Sequence, residues 1–450
     1  MLLYKCRWSI RIRQRSGRIR ATARRSTVSG TNGEGLSHAA AASGCPYDGS
    51  AGAGNLEITS YREVEEILAR PQQFSLADTK GDSEEFARGT VVGLEGGDHR
   101  QRRRLLAKIV DISQPWGPRG SLLTELFEGL IAPLRERAAG GETVHFDLIP
   151  FARQVYGRMA AALIGIDGVD SAERLERLES FMTPIIGGLT AEFTLRDLAA
   201  ITRESRAARQ GLKAEFFDAS LSRRAAAIKQ GGEDAERLPG DLITQLLSSP
   251  DGGFDEDAIF RECVVLFAAS VNNPVSQIAN CVNELSGWLA VNPSEAHRLD
   301  DDAFLNDVVR ETLRLHRTGN PYLLRAVLED VELSTGRHLK AGERVALHVG
   351  PANRDPEIFG ETASQFDPLR AVSAPRVKPF GLAFGGGPHA CLGRPLVYWE
   401  RGDPPALGYL ARLLKCLLTE RVAVGDPARH SKQSQHAGDR FSAFDVTIAG

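Results

Sequence analysis

The sequence predicts a mainly α-helical fold carrying small β-sheets, and three observations point there. Apolar residues recur at helical spacing over 122–139, 150–166, 172–181 and a charged stretch at 196–230, with breaks at Gly140-Gly141, Gly165, Gly187-Gly188 and Gly231-Gly232. Residues 255–289 read as one long helix, with Ile259, Cys263, Leu266, Phe267, Val271, Ile278 and Val282 at three-and-four spacing. Short runs between 321 and 350 alternate and turn like a small sheet. At 450 residues the chain can bury a large core, and 42% hydrophobic with 25% charged residues are ordinary globular values. A formal charge of -3 argues against nucleic acid as the main partner. No apolar run is long enough to span a bilayer, so a soluble chain without a transmembrane anchor is expected. The six cysteines show no framework spacing, which fits a reducing compartment and a cytoplasmic location.

Taken in order, residues 1–54 read as a basic tail and 55–450 as a single domain. From Lys5 to Arg25 there are nine Lys or Arg, with no acid before Glu34. Such a start resembles an organelle transit peptide, and a mis-called start or a plain basic arm would look the same. Residues 56–59 read as a strand; Ser60 with Glu63 has the spacing of a capping box for a helix over 61–69. Residues 75–97 lack a sustained period and read as a long surface loop. Asp98 is the expected N-cap of the next helix, whose His99 and Arg103 stand four apart on one face. Glu311 and Arg314, three apart on a helix, can pair, and Arg370 offers a second guanidinium. In the long helix, Pro274 removes a backbone donor and is expected to open the helix. Gly402-Asp403-Pro404-Pro405 is expected to break another helix before it resumes over 406–418, and 441–448 reads as a terminal strand.

The chemistry centres on Phe384-Gly-Gly-Gly-Pro-His389-Ala-Cys391-Leu-Gly393. A lone cysteine in a glycine-rich turn opening into a helical pattern meets backbone N–H groups and the positive end of a helix dipole, which favour a thiolate. The glycines remove side chains where the backbone turns tightly or approaches a flat group, and Gly393 is expected to let the chain turn beneath the sulfur. No second cysteine lies at zinc-site spacing, whereas one thiolate with an open face suits haem iron.

These residues resemble the ten-residue haem-binding signature of the cytochrome P-450 family, matching its fixed positions at Phe384, Gly387, Cys391 and Gly393. The resemblance covers roughly residues 55–448, with the other motifs in family order. It implies the cytochrome P-450 fold, with haem b (iron protoporphyrin IX) between the long distal helix and the cysteine loop and Cys391 as the metal's axial ligand. It further implies that His99, Arg103, Arg325 and His389 meet the haem propionates, and that Glu311, Arg314 and Arg370 form an ion network behind the haem. Residues 75–97 would face substrate and 181–195 would roof its pocket.

The chain departs from the family where an acid and a threonine usually sit on the distal helix. Asn272 and Asn273 take those places, and an asparagine orients water but cannot release and regain a proton near neutral pH. Ser270, Asn272 and Asn273 are the candidates for handling water and oxygen. The implied activity is a haem-thiolate monooxygenase that inserts one atom of O2 into a small apolar organic substrate, with electrons from a ferredoxin-type or flavin redox partner. Two other readings stay open: a peroxide-driven oxidase or rearrangement enzyme of the same fold, and a non-catalytic haem-binding or gas-sensing protein.

Overall fold

The computed structural model describes residues 54–109, 118–194, 196–249, 254–372, 374–398, 407–432 and 440–450. Residues 1–53 of the expected tail and the expected break at 402–405 lie outside the described residues.

β1 (Asn55–Ile58) leads into α1 (Tyr61–Ala69), which buries Tyr61, Val64, Ile67 and Leu68 at helical spacing. Ser60 has the extended backbone of an N-cap, but its side chain caps nothing and the expected box with Glu63 is not made. Long-range partners win instead: Glu63 accepts from Thr335 Oγ1 at 2.6 Å and Arg337 Nε at 3.0 Å, while the Tyr61 N–H donates to Asp355 at 3.3 Å. After β2 (Phe74–Ser75), the expected loop winds into short helical turns at Ala77–Thr79, Gly81–Ser83 and Glu84–Ala87. α2 (Gly96–Ile109) starts before Asp98, so that carboxylate lies in the first turn rather than capping it, where it still suits the helix dipole.

α3 (Pro118–Ala139), β3 (Val144–Asp147) and α4 (Leu148–Ile164) follow, and α4 ends at Gly165 with φ +94, the left-handed geometry glycine adopts freely. α5 (Ala172–Leu189) runs straight through Gly187 and Gly188, which the sequence had suggested as a break. Gly188 is there for contact: a Cβ would come within 2.7 Å of Ser205 Oγ and 2.8 Å of the Phe86 ring. α6 (Leu198–Leu212) passes through a π-helical turn at Lys213–Phe217 into α7 (Asp218–Gln230).

α8 (Glu256–Val291) is the long helix, its N-terminus capped by Asp255, which accepts from the Ala258 N–H at 2.7 Å. Pro274 leaves the Ser270 carbonyl without its usual donor, but the helix continues unbroken; the expected opening is absent because α8 is held laterally along α4. α9 (Asp302–Leu315) also packs on α8. β4 (Leu323–Val327) and β5 (Arg344–Leu347) complete a four-stranded sheet ordered β1-β5-β4-β2, parallel only between β1 and β5. α10 (Tyr409–Thr419) lies against α8 and α9. β6 (Ala423–Val424) and β7 (Asp445–Ile448) close a second sheet, with β7 between β3 and β6. One hydrophobic cluster centres on α4 and α8, and a second joins α1 to the first sheet. Among the described residues, no helix is long and apolar enough to cross a membrane.

Glu311, Arg314 and Arg370 are all buried and gather at one point. Arg314 grips Glu311 with both Nε (2.8 Å) and Nη2 (2.6 Å), and its Nη1 donates to the carbonyls of Asn353 and Ala363. Arg370 Nε reaches the same carboxylate at 2.9 Å and spends its other donors on the carbonyls of Phe359, Thr362 and Gln365. One buried carboxylate thus holds two guanidiniums, and these tie α9 to irregular chain some fifty residues downstream. Removing Glu311 would strand two desolvated cations. Glu311→Ala should lower unfolding stability by about 3–5 kcal/mol, read as a shifted midpoint in denaturant unfolding; a loss below about 1 kcal/mol would mean the network is not structural.

Candidate functional site

The segment before Cys391 folds as a series of tight turns. Gly385 and Gly387 adopt φ +67 and +62, and a Cβ on Gly387 would stand 1.9 Å from the Leu68 carbonyl oxygen. Glycine is obligatory at 387 on both counts. The Cys391 N–H donates to the Phe384 carbonyl at 2.8 Å, closing the loop, and the Phe384 ring meets Phe380 edge-on at 5.2 Å. Gly393 differs from the expectation: its φ of -77 is open to any residue, and a Cβ there would make an ordinary contact at 3.7 Å from Cys391 Sγ. What position 393 supplies is its N–H. Burial pushes the Cys391 thiol up, and the N–H groups of Gly393 and Arg394 with the Arg103 and Arg394 charges pull against it.

Cys391 opens onto a cavity of about 1630 Å³, lined also by His99, Arg103, Arg325, Phe384, His389 and Gly393. His99, on α2, lies against His389 with ring centroids 4.0 Å apart and the rings tilted by 34°. Burial, then the His389 and Arg103 charges, push His99 down to about 4, so its ring is neutral at physiological pH. Arg103 Nη1 donates to the Ala390 carbonyl at 2.6 Å, beside the cysteine. Arg325, on β4, is buried with Nη1 on the Leu324 carbonyl at 2.6 Å; burial lowers it to about 10, against the pull of Glu95. The fold therefore brings two histidines and two arginines from α2, β4 and the cysteine loop to one side of the sulfur.

Glu95 joins them, and sequence reasoning passed it over. Its Oε1 accepts from the N–H groups of Leu76 (2.8 Å) and Ala77 (3.1 Å), and its Oε2 faces His389 Nε2 at 3.0 Å. Burial alone would raise this carboxyl, but the hydrogen bonds from His389 and the two amides hold it at about 2. The available signal was an acid four residues before His99, at the mouth of a helix.

From α8, Val265, Leu266, Ala268, Ala269, Ser270, Asn272 and Asn273 also line the cavity. Alanines at 268 and 269 keep that face shallow. Ser270, Asn272 and Asn273 all line the cavity, with different freedom. Asn272 Oδ1 accepts from Arg153 Nη1 at 3.2 Å, and Asn273 Nδ2 leans back on the Ala269 carbonyl at 3.5 Å. Gln277, one turn beyond Asn273 on the same face, was missed: its Nε2 donates to the His316 carbonyl at 2.5 Å, and its Oε1 is buried without a partner among the described residues. Four-residue spacing from Asn273 would have pointed to it.

A family model described as cytochrome P-450 matches residues 293–401, a span that includes Glu311, Arg314, Arg325, Arg370 and Cys391. The chain is 32% identical over 164 residues to cytochrome P-450 105C1 of a Streptomyces species, an alignment covering 36% of this chain and 40% of that one. It is 30% identical over 205 residues to cytochrome P-450 109 of Bacillus spizizenii, covering 45% of each. The chain thus spans less than half the length of these curated relatives. Over 87% of its own length it superposes on 91% of P450BioI, solved with a hexadec-9Z-enoic acid-ligated acyl carrier protein, with a TM-score of 0.64 at 20% identity. Matched span and superposition agree that the chain is similar to the cytochromes P-450 and has their fold.

Proposed function

We propose that the chain is a haem-thiolate monooxygenase acting on a small, mainly apolar organic substrate. The observation that carries this reading is a single cysteine sulfur, held by a glycine loop, facing a large cavity whose rim gathers His99, Arg103, Arg325 and His389 on one side. Among the described residues no cluster of three or more His, Cys, Asp or Glu could hold a metal ion, so the iron would have to bring most of its own ligands. A porphyrin does so, and its two carboxylates suit the cationic side. The residues therefore fit haem. Cys391 would be the axial ligand; Arg103 and Arg325, with His99 and His389, would hold the propionates; Phe384 would stand beside the sulfur.

Bound to a thiolate, haem supplies reductive O–O bond cleavage and oxygen transfer to a C–H bond. The chain's own residues do the rest. The N–H groups of Gly393 and Arg394 stabilise negative charge on Cys391 Sγ. Leu266, Ala268 and Ala269 with Phe193 and Leu323 give the cavity an apolar part of its wall, suited to an apolar substrate. Asn273 and Gln277 can each hold a water through an amide atom, but neither can release and regain a proton near neutral pH. The reductant would be a separate ferredoxin-type or flavin protein.

The amide-only face of α8 favours a second reading, peroxide-driven oxidation, because peroxide arrives carrying its protons. A missing relay costs about a hundredfold or more in rate. Peroxide-supported turnover should therefore exceed turnover with reductant and O2 on the same substrate. Tight coupling of product to reducing equivalents in the wild type, lost on Asn273→Ala or Gln277→Ala, would show that these amides organise a working water chain.

The reduced protein under carbon monoxide should show the red-shifted band of thiolate ligation, and Cys391→Ser should lose it. A wild-type spectrum typical of histidine ligation would overturn the assignment. Charge-assisted propionate bonds are worth about 1.5–3 kcal/mol each. Arg103→Ala and Arg325→Ala should thus each speed haem transfer to an acceptor apoprotein about tenfold or more. Unchanged transfer in both variants would remove these arginines from the haem site.

A further inference from the structure

Among the described residues, five arginines line the cavity: Arg103, Arg196, Arg317, Arg325 and Arg440. Arg103 and Arg325 stand beside the cysteine loop, and Arg196 pairs with Glu204 at 2.7 Å. Arg317 and Arg440 have no carboxylate partner among the described residues. Arg317, three residues beyond Arg314, donates to the Pro321 carbonyl. Arg440, a few residues before β7, donates from Nη2 to the Gly319 carbonyl at 3.3 Å, and its Nε is buried without a partner among the described residues. Two guanidiniums from distant parts of the chain therefore converge on residues 317–321 at the cavity wall.

Among the described residues, their neighbours do not neutralise them. Arg153, the next cation along, is occupied by Glu179 at 3.1 Å and Asn272 at 3.2 Å. Burial first and then the Arg440 charge push Arg317 down to about 9; burial and the Arg153 charge push Arg440 down to about 10. Both still carry charge at neutral pH. Like charges kept out of water without a counter-ion are costly, and chains retain such an arrangement where a ligand brings the missing anion. The same cavity is lined by the apolar Phe193, Val265, Leu266 and Leu323 alongside the polar Gln277, His316, Thr318 and Asn320. A planar guanidinium fork matches a carboxylate better than a neutral polar group does.

We propose that the cavity takes an apolar substrate bearing a carboxylate, and that Arg317 and Arg440 grip that carboxylate and so orient the apolar body in the chamber. The proposal rests on the reading of the cavity as the substrate chamber of a haem enzyme. It adds a recognition site to the apolar pocket.

The test uses matched probes on the purified holoprotein: octanoic, lauric and 4-phenylbutyric acids against their methyl esters. Binding is followed by equilibrium dialysis and, in parallel, by the shift of the haem absorption band. In the wild type at least one acid should bind about tenfold or more tighter than its ester, a difference of about 1.4 kcal/mol. Arg317→Gln with Arg440→Gln should bring that acid-to-ester ratio close to one, and Arg440→Lys should restore part of it. If the arginines only fasten the 317–321 loop, the substitutions would weaken acid and ester together and leave the ratio intact, which overturns the proposal. Equal binding of acids and esters by the wild type overturns it without any variant. A protein that shows the thiolate carbon monoxide band but no acid preference refutes this proposal alone; absence of that band refutes the haem-thiolate reading instead.

Discussion

The architecture of the site depends on one close approach, that of Gly387 to the end of α1. The backbone at 387 lies so near the Leu68 carbonyl that no side chain fits, and φ at 385 and 387 lies where L side chains are strained. With the loop pinned there, the bond from the Cys391 amide to the Phe384 carbonyl sets the direction of the sulfur. Arg103 then fastens to the Ala390 carbonyl, and His389 to Glu95. The cationic side of the cavity is thus assembled on the loop rather than beside it. A side chain at 387 would move the sulfur and its neighbours together.

Buried charge is handled in two contrasting ways within a short distance in sequence. At Arg314 every donor direction is met by Glu311 or a backbone carbonyl, so the desolvation cost is offset inside the protein. At Arg317 the one side-chain hydrogen bond among the described residues is to the Pro321 carbonyl, and the residue lines the cavity. The first arrangement fixes geometry and leaves nothing for a ligand. The second leaves binding capacity unspent, so α9 supplies the structural anchor and the segment just after it the residue proposed for recognition.

Much of this was legible in the sequence, for physical reasons. The cysteine loop is local: its glycines, phenylalanine and cysteine lie within ten residues, so their spacing carries the geometry. The long helix was legible because a 36-residue amphipathic pattern leaves little ambiguity. What escaped depends on residues far apart. Glu95 matters because it meets the amides of 76 and 77 and a histidine at 389, and Ser60 loses its expected capping role to contacts with 335, 337 and 355. Gly187 and Gly188 read as punctuation, yet Gly188 exists to let α5 pack tightly against Ser205 and Phe86. Arg317 and Arg440 belong to no short motif, and only the fold shows that they face one space.

The central claim is that the Cys391 sulfur is a direct ligand of iron in this cavity. X-ray absorption at the iron edge of the holoprotein measures that most directly, since it identifies the atoms bound to the metal without turnover or substrate. The account predicts one sulfur scatterer alongside the porphyrin nitrogens, lost on Cys391→Ser. A first coordination sphere of nitrogen and oxygen alone in the wild type would contradict it.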